Sequence, residues 1–288
     1  MIKKIAVVGA TGMLGRPVTE ALIAAGFDVT IIARNIDKAR TLFPDSRIMQ
    51  GDLQHRESLL NAFKNQDAIY LNLHVPPTAK PADFHAESDG MINVIEAARA
   101  CALKRIAYIS SLVHRFQGMN GFHWWVFDIK KKAVELIKSS GIPYTIFYPS
   151  SFMENFLTGM KKGNRIMMVG TAEYPHYWIA ASDYAAMVVK SFQLLNDENR
   201  EYPVQGPRAI RPDFAASIFT ETYWKEQLKI SYAPMGIMKL LSLVKPEFKY
   251  FLNILTALNK YPERFESELT WQELGKPAIS LEEFAKES

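Results

Sequence analysis

Over its first 150 residues the chain alternates between short apolar runs and stretches with helical apolar spacing. The runs at 3–9, 28–34, 47–52, 67–73, 105–111 and 143–149 predict strands. The stretches at 13–26, 37–43, 56–65, 86–103 and 126–141 predict helices. Strands separated by helices pair through right-handed crossovers, so this rhythm predicts an α/β fold with a doubly wound parallel sheet. Runs such as IAVV and VTII are apolar without interruption, as burial on both faces requires. After about residue 150 the rhythm breaks: 165–170 and 201–206 read as short strands, and 181–195 and 211–228 as helices. The expected organisation is a sheet domain over 1–150, rejoined by segments from 165–205, and a smaller, mostly helical C-terminal part over 151–288.

The turn between the first strand and first helix reads Gly9-Ala10-Thr11-Gly12-Met13-Leu14-Gly15. In that context a G-x-x-G-x-x-G spacing predicts a dinucleotide cradle. Gly9 permits the turn, Gly12 lets a phosphate approach the backbone, and Gly15 lets the helix sit close to the sheet. The unpaired N–H groups and dipole of the helix attract a pyrophosphate. The competing reading is a glycine-rich turn with no ligand. The second strand ends at Arg34, with Lys38 a turn later and Arg16 inside the first helix. A guanidinium there suits a 2′-phosphate, so NADP(H) is expected over NAD(H), unless Arg34 is only a solvated strand-end charge. Asp52 and Leu53 follow the third strand, where an acid meets an adenine amino group or caps the next helix.

The segments VVGATGMLGRPV, IIARN, GDL, YISS, SGIPYTIFYPSSFMENF, IAASDYAA and ISLEEFAKE run through nearly the whole chain. As a set they resemble the NmrA-like group of the atypical short-chain dehydrogenase/reductase superfamily, which implies a Rossmann fold. The helix before GIPYT also resembles the isoflavone-reductase-like branch, whose lysine lies eleven residues before that glycine; here this is Lys130, followed by Lys131 and Lys132. The resemblance implies that such a lysine faces the nicotinamide ribose or the substrate; the plain alternative is a solvated helix face. It also implies that Leu73, His74, Ser110, Tyr148, Pro149, Ser150 and Phe152, at or beyond the strand ends, line the cofactor. Two departures stand out. The tyrosine usual four residues before the lysine is replaced by Val126, and Tyr148 stands where many relatives carry arginine.

Ser110 and Ser111 end the fifth strand, where a serine polarises a carbonyl or caps the following loop, capping being the favoured reading. His114 and His123 lie in an aromatic stretch and are the alternative acid–base groups, or structural histidines. That stretch, 151–157 and the apolar helices expected within 235–262 favour a flat, apolar or aromatic small-molecule acceptor such as a quinone or enone. The expected function is therefore NADPH-dependent reduction, with Lys130, His123 or Ser110 as catalytic groups. Alternatives are a non-catalytic redox sensor with a protein partner and a nucleotide-sugar epimerase. Net charge is only +4, with no basic stripe for nucleic acid. No metal-ligand spacing occurs. No uncharged run reaches the ~20 residues that span a bilayer, so no membrane contact is expected. The lone Cys101 fits a reducing cytoplasm.

Overall fold

A parallel seven-stranded sheet organises the computed structural model, which describes residues 1–194 and 197–288. The alternating half supplies β1 (Lys4–Val8), β2 (Asp28–Ala33), β3 (Arg47–Gln50), β4 (Ala68–Leu71), β5 (Arg105–Ile109) and β6 (Tyr144–Pro149). Between them run α1 (Gly15–Ala24), α2 (Ile36–Leu42), α3 (Arg56–Phe63), α4 (Asp89–Ala100) and α5 (Trp125–Lys138). The later strands are β7 (Lys161–Lys162), β8 (Arg165–Val169), β9 (His176–Tyr177), β10 (Arg200–Val204), β11 (Ala209–Ile210) and β12 (Lys229–Ala233). The later helices are α6 (Ala181–Gln193), α7 (Pro212–Thr222), α8 (Met235–Ser242), α9 (Pro246–Lys260), α10 (Glu268–Leu274) and α11 (Leu281–Glu287).

The main sheet runs β10-β6-β5-β4-β1-β2-β3, the doubly wound order that the alternation implies. Ile5 of β1 faces Val29 of β2 on one side and Ala68 of β4 on the other. From β1 the chain builds outward through β2 and β3, then returns to β4. Connections on either side of β1 therefore leave in opposite directions, and a crevice opens beyond the carboxyl ends of β1 and β4. One face of the sheet packs under α3, α4 and α5 through Leu59, Val94, Val126 and Ile137. The other packs under α1 and α6 through Val18, Leu22, Tyr184 and Val188. Tyr70 and Tyr184, both fully buried there, satisfy each other through a 2.9 Å hydroxyl contact.

Several expected boundaries move. The helix expected from residue 86 begins at Asp89, because Asp89 folds its carboxylate back to accept the His85 N–H and leaves Glu87 outside the helix. The helix expected over 211–228 stops at Thr222, and the chain returns as β12 to pair with β8. The helix expected over 181–195 ends at Gln193, and Leu195 lies outside the described residues. Of the segments expected to rejoin the main sheet, β10 pairs with β6 and α6 packs on its face. β8 instead pairs with β7 and β12 in a separate three-stranded sheet. That sheet covers a satellite core of Phe156, Ile166, Trp178, Phe219 and Leu281. The apolar stretch over 235–262 splits into α8 and α9 at Pro246, which occupies the first turn of α9.

Candidate active site

Gly9 leaves β1 at φ +85°, and a Cβ there would lie 2.1 Å from the Asn72 carbonyl oxygen. A Cβ on Gly15 would lie 2.0 Å from the Gly9 carbonyl oxygen and 2.9 Å from Asn72 Nδ2. Both glycines are thus demanded by the protein's own packing. Gly12 is different: its φ is not positive, and a Cβ would meet only ordinary contacts, the nearest at 3.5 Å. It is exposed, and nothing inside the chain requires a glycine there. The N–H groups of Met13, Leu14 and Gly15 find no backbone partner among the described residues. An open glycine beside unpaired donors at a helix start fits a pyrophosphate. Ala10 is buried beneath the turn, while Thr11 and Leu14 are half-buried around it. The Thr158 hydroxyl, from the C-terminal part, lies 3.3 Å from the Met13 sulfur and 3.0 Å from the Glu154 carbonyl, and so sits across the mouth of the crevice.

Asn72 was not among the expected site residues. It follows β4 directly and braces the glycine turn from below. Its signal in the sequence is a polar amide placed immediately after a wholly apolar strand at the switch point.

At the β2 end Arg34 and Lys38 are exposed, and neither side chain has an ion-pair partner among the described residues. Arg16 is tied to Glu20 at 2.8 Å on the outer face of α1, turned to its own helix. Asp52 does not cap α3, whose N-cap is His55; its Oδ1 accepts the Gln54 N–H at 3.0 Å in a tight local turn. Leu53 is buried, and its carbonyl accepts the Asn93 side chain at 2.7 Å. Leu73 points into the core while His74 is exposed in the loop beyond β4.

A second cluster forms where β5 faces α5. Of the three consecutive lysines, Lys131 and Lys132 are exposed, while the Lys130 side chain is only 16% exposed. Its ammonium donates to Glu87 Oε1 at 2.9 Å, and Glu87 is fully buried. The same oxygen accepts the Tyr108 hydroxyl at 2.5 Å. Burial, then the Glu87 charge, pushes the Tyr108 hydroxyl far above its ordinary range, with the Ser110 side chain opposing. Tyr108 therefore stays protonated and serves as a donor. Tyr250 of α9 is pushed up to about 12 by burial and the same Glu87 charge.

Ser110 follows β5 and is buried, its Oγ 3.4 Å from His114 Nδ1. The favoured capping role does not hold. Ser111 occupies the N-cap position of the 3-10 turn Leu112–Phe116, but its side chain makes no capping bond, and its Oγ has no hydrogen-bond partner among the described residues. His114 Nδ1 donates to the Ser111 carbonyl at 2.5 Å. Burial lowers the His114 pKa to about 4, against the pull of that carbonyl. Nor is His123 brought to this cluster: its side chain is 69% exposed, 3.0 Å from Asp128 on the surface, because the loop carrying it turns outward after Phe122.

Further along the strand ends, Tyr148 is buried, donates to Glu201 Oε2 at 2.7 Å and lies beneath the Arg115 guanidinium. Pro149 ends β6, and Phe152 packs edge-on against Tyr184. Ser150 donates to Glu263 Oε2 at 2.8 Å, and Gln205 donates to the other Glu263 oxygen at 2.8 Å. Burial raises the Glu263 pKa against those two donors. Gln205 also receives the Glu266 N–H and donates to the Arg264 carbonyl, so residues 263–267 are strapped across the carboxyl edge of β6 and β10. No helix among the described residues is long and apolar enough to cross a membrane, and no group of three metal-ligating side chains occurs among them.

Residues 9–194 match the family described as NAD(P)H-binding. The chain is 25% identical over 260 residues to a photosystem II assembly factor of Cyanophora paradoxa, covering 88% of this chain and 79% of that protein. It is 24% identical to an NAD(P)H azoreductase of Xenophilus azovorans, covering 98% and 96% of the two chains. Among solved structures it superposes on the NADPH complex of a quinone oxidoreductase from Escherichia coli. There the TM-score is 0.76 at 22% identity, over 98% of this chain and 99% of that one.

Proposed function

Because the chain belongs to the NAD(P)H-binding family, we propose that it is an NADPH-dependent reductase of a small apolar or aromatic acceptor, quinone- or enone-like, within the NmrA-like group. The observation that carries this reading is Lys130: alone of its three-lysine run it turns inward, and a buried carboxylate holds it beside β5. An ammonium fixed at a strand's carboxyl end is a proton donor already in position. The azo and quinone substrates in the names of the two reductases above support the acceptor class.

Gly12 and the N–H groups of Met13, Leu14 and Gly15 would hold the pyrophosphate. Arg34 and Lys38 would take the 2′-phosphate, which is why NADPH is preferred. Asp52 and Leu53 would flank the adenine, and His74, Tyr148, Pro149, Ser150 and Phe152 the nicotinamide half. Bound there, the cofactor supplies a hydride, and reduction of a carbonyl or enone then needs one proton. Lys130 supplies that proton, and Glu87 sets the position of its ammonium. Ser110 orients the acceptor oxygen. The segments beyond residue 150, led by Thr158 and α9, close the acceptor side.

The test is a titration with NADPH and NADH side by side, followed by an acceptor screen. NADPH is expected to bind more tightly, and Arg34→Ala to weaken NADPH about tenfold or more with little effect on NADH. Lys130→Met should lower kcat by roughly 10²–10⁴ at unchanged NADPH affinity. The absent tyrosine, with buried Val126 in its place, favours one other reading: a cofactor-binding sensor without turnover. Tight NADPH binding with no turnover of quinones, enones or aldehydes would sink the reductase and leave the sensor.

A further inference from the structure

Among the described residues, the hairpin formed by α8 and α9 gathers more exposed large apolar side chains than any other pair of neighbouring elements. Ile237, Leu240 and Leu241 of α8 and Phe251 of α9 are exposed, and at the turn between the helices Leu243 and Val244 are 81% and 77% exposed. Single exposed apolar residues are ordinary, but a contiguous set at one tip marks a surface for binding. No residue of α8 is buried.

The base of the hairpin is fixed. A Cβ on Gly170 would meet Met235 Cγ at 2.6 Å and Asn259 Nδ2 at 2.8 Å, so the first residue of α8 and the end of α9 sit directly on that glycine. Asn259 also donates to the Val169 carbonyl at 3.0 Å. On the inner side Tyr250 packs edge-on against Trp124, and Ala257 is fully buried. The tip therefore projects from an anchored base with its apolar side chains outward.

Charge decides what the tip meets. Residues 235–260 contain Lys239, Lys245, Lys249 and Lys260 against Glu247 alone, which is +3 of the whole chain's +4. All four lysines are exposed, and none makes an ion pair among the described residues. A two-fold contact with a second copy would set this cationic tip against itself. A bilayer surface bearing anionic headgroups accepts both features: leucine and valine enter the acyl boundary while lysines on the flanks reach the headgroups.

We propose that the α8–α9 tip docks on the surface of an anionic lipid bilayer without crossing it. This departs from the expectation of no membrane contact, which rested on the lack of a spanning run. It is independent of the reductase reading.

The experiment is cosedimentation of the full chain with vesicles of phosphatidylcholine alone, or mixed roughly two to one with phosphatidylserine. Binding is expected to the mixed vesicles only, with release as salt rises. Leu243→Asp/Val244→Asp should abolish it while circular dichroism and Tm stay as in the wild type. Lys239→Gln/Lys245→Gln should weaken it about fivefold per lysine. No binding to mixed vesicles at low salt would overturn the proposal. So would full binding by the tip variant, which would place the contact elsewhere, or a concentration-dependent dimer that the tip variant loses, which would assign the surface to a second copy.

Discussion

Glu87 lies two residues before the first residue of α4 and receives both Tyr108 and Lys130. From the sequence it reads as one more acid in a helix's first turn. Only the shift of that helix start to Asp89 frees it to turn into the core. The inward aim of Lys130 was legible as one of three candidates, since neighbours on a helix lie about 100° apart; its partner was not, because that contact spans 43 residues. His114 gives a test at this scale. Its folded-state pKa is depressed to about 4 from an ordinary 6.5, so it stabilises the fold fully above about pH 6.5. As pH falls from there toward 4, the unfolded chain takes up a proton that the folded one refuses, and the contribution is lost. The stability difference between wild type and His114→Asn, measured as urea midpoints at pH 7.5, 6 and 4.5, should shrink stepwise in favour of the variant. A difference constant with pH would contradict the burial of this ring.

The β1–α1 turn works as one element, yet its three glycines have different reasons. Gly15→Ala forces a Cβ against the Gly9 carbonyl at 2.0 Å and is expected to cost about 1–3 kcal/mol of stability, read as a lowered urea midpoint. Gly12→Ala should leave that midpoint nearly unchanged and weaken NADPH binding instead. Loss of stability in both, with cofactor affinity equal after correction, would remove the special status of Gly12. The spacing identified this element because turn, close approach and helix packing are local demands. β12 is not legible for the opposite reason: its five residues, KISYA, are too few to set a period against the helical stretch before them, and its pairing is long-range, with Lys229 opposite Arg165. The 3-10 turn after β5 is local but follows no apolar period, being held by the His114 side chain on the Ser111 carbonyl.

For the molecule as a whole, the alternation of strands and helices was enough to set the sheet class, because crossover handedness and two-sided burial leave few other arrangements. How the C-terminal part meets the sheet was not legible, since it depends on single long-range contacts such as Ser150 with Glu263. Burial predicts a gradient of stability. Backbone amides of β1, β4 and β5, enclosed by helices on both faces, should exchange with solvent by global unfolding, and those of the α8–α9 tip by local opening. Hydrogen exchange resolved by peptide measures this directly; tip amides as slow as those of β4 would contradict it.

The strap across the carboxyl edge also has a consequence in time. Ser150 is emitted from the ribosome 113 residues before the Glu263 that engages it, and Met13 comes 145 residues before Thr158. At roughly 5–20 residues per second the glycine turn waits seconds to tens of seconds for its cover. Between the synthesis of β6, which ends at Pro149, and that of β10, which begins at Arg200, the nascent sheet presents an open edge at β6. The crevice is thus among the last parts of the molecule to be finished, since the Glu263 that closes on Ser150 is made long after the strands it spans.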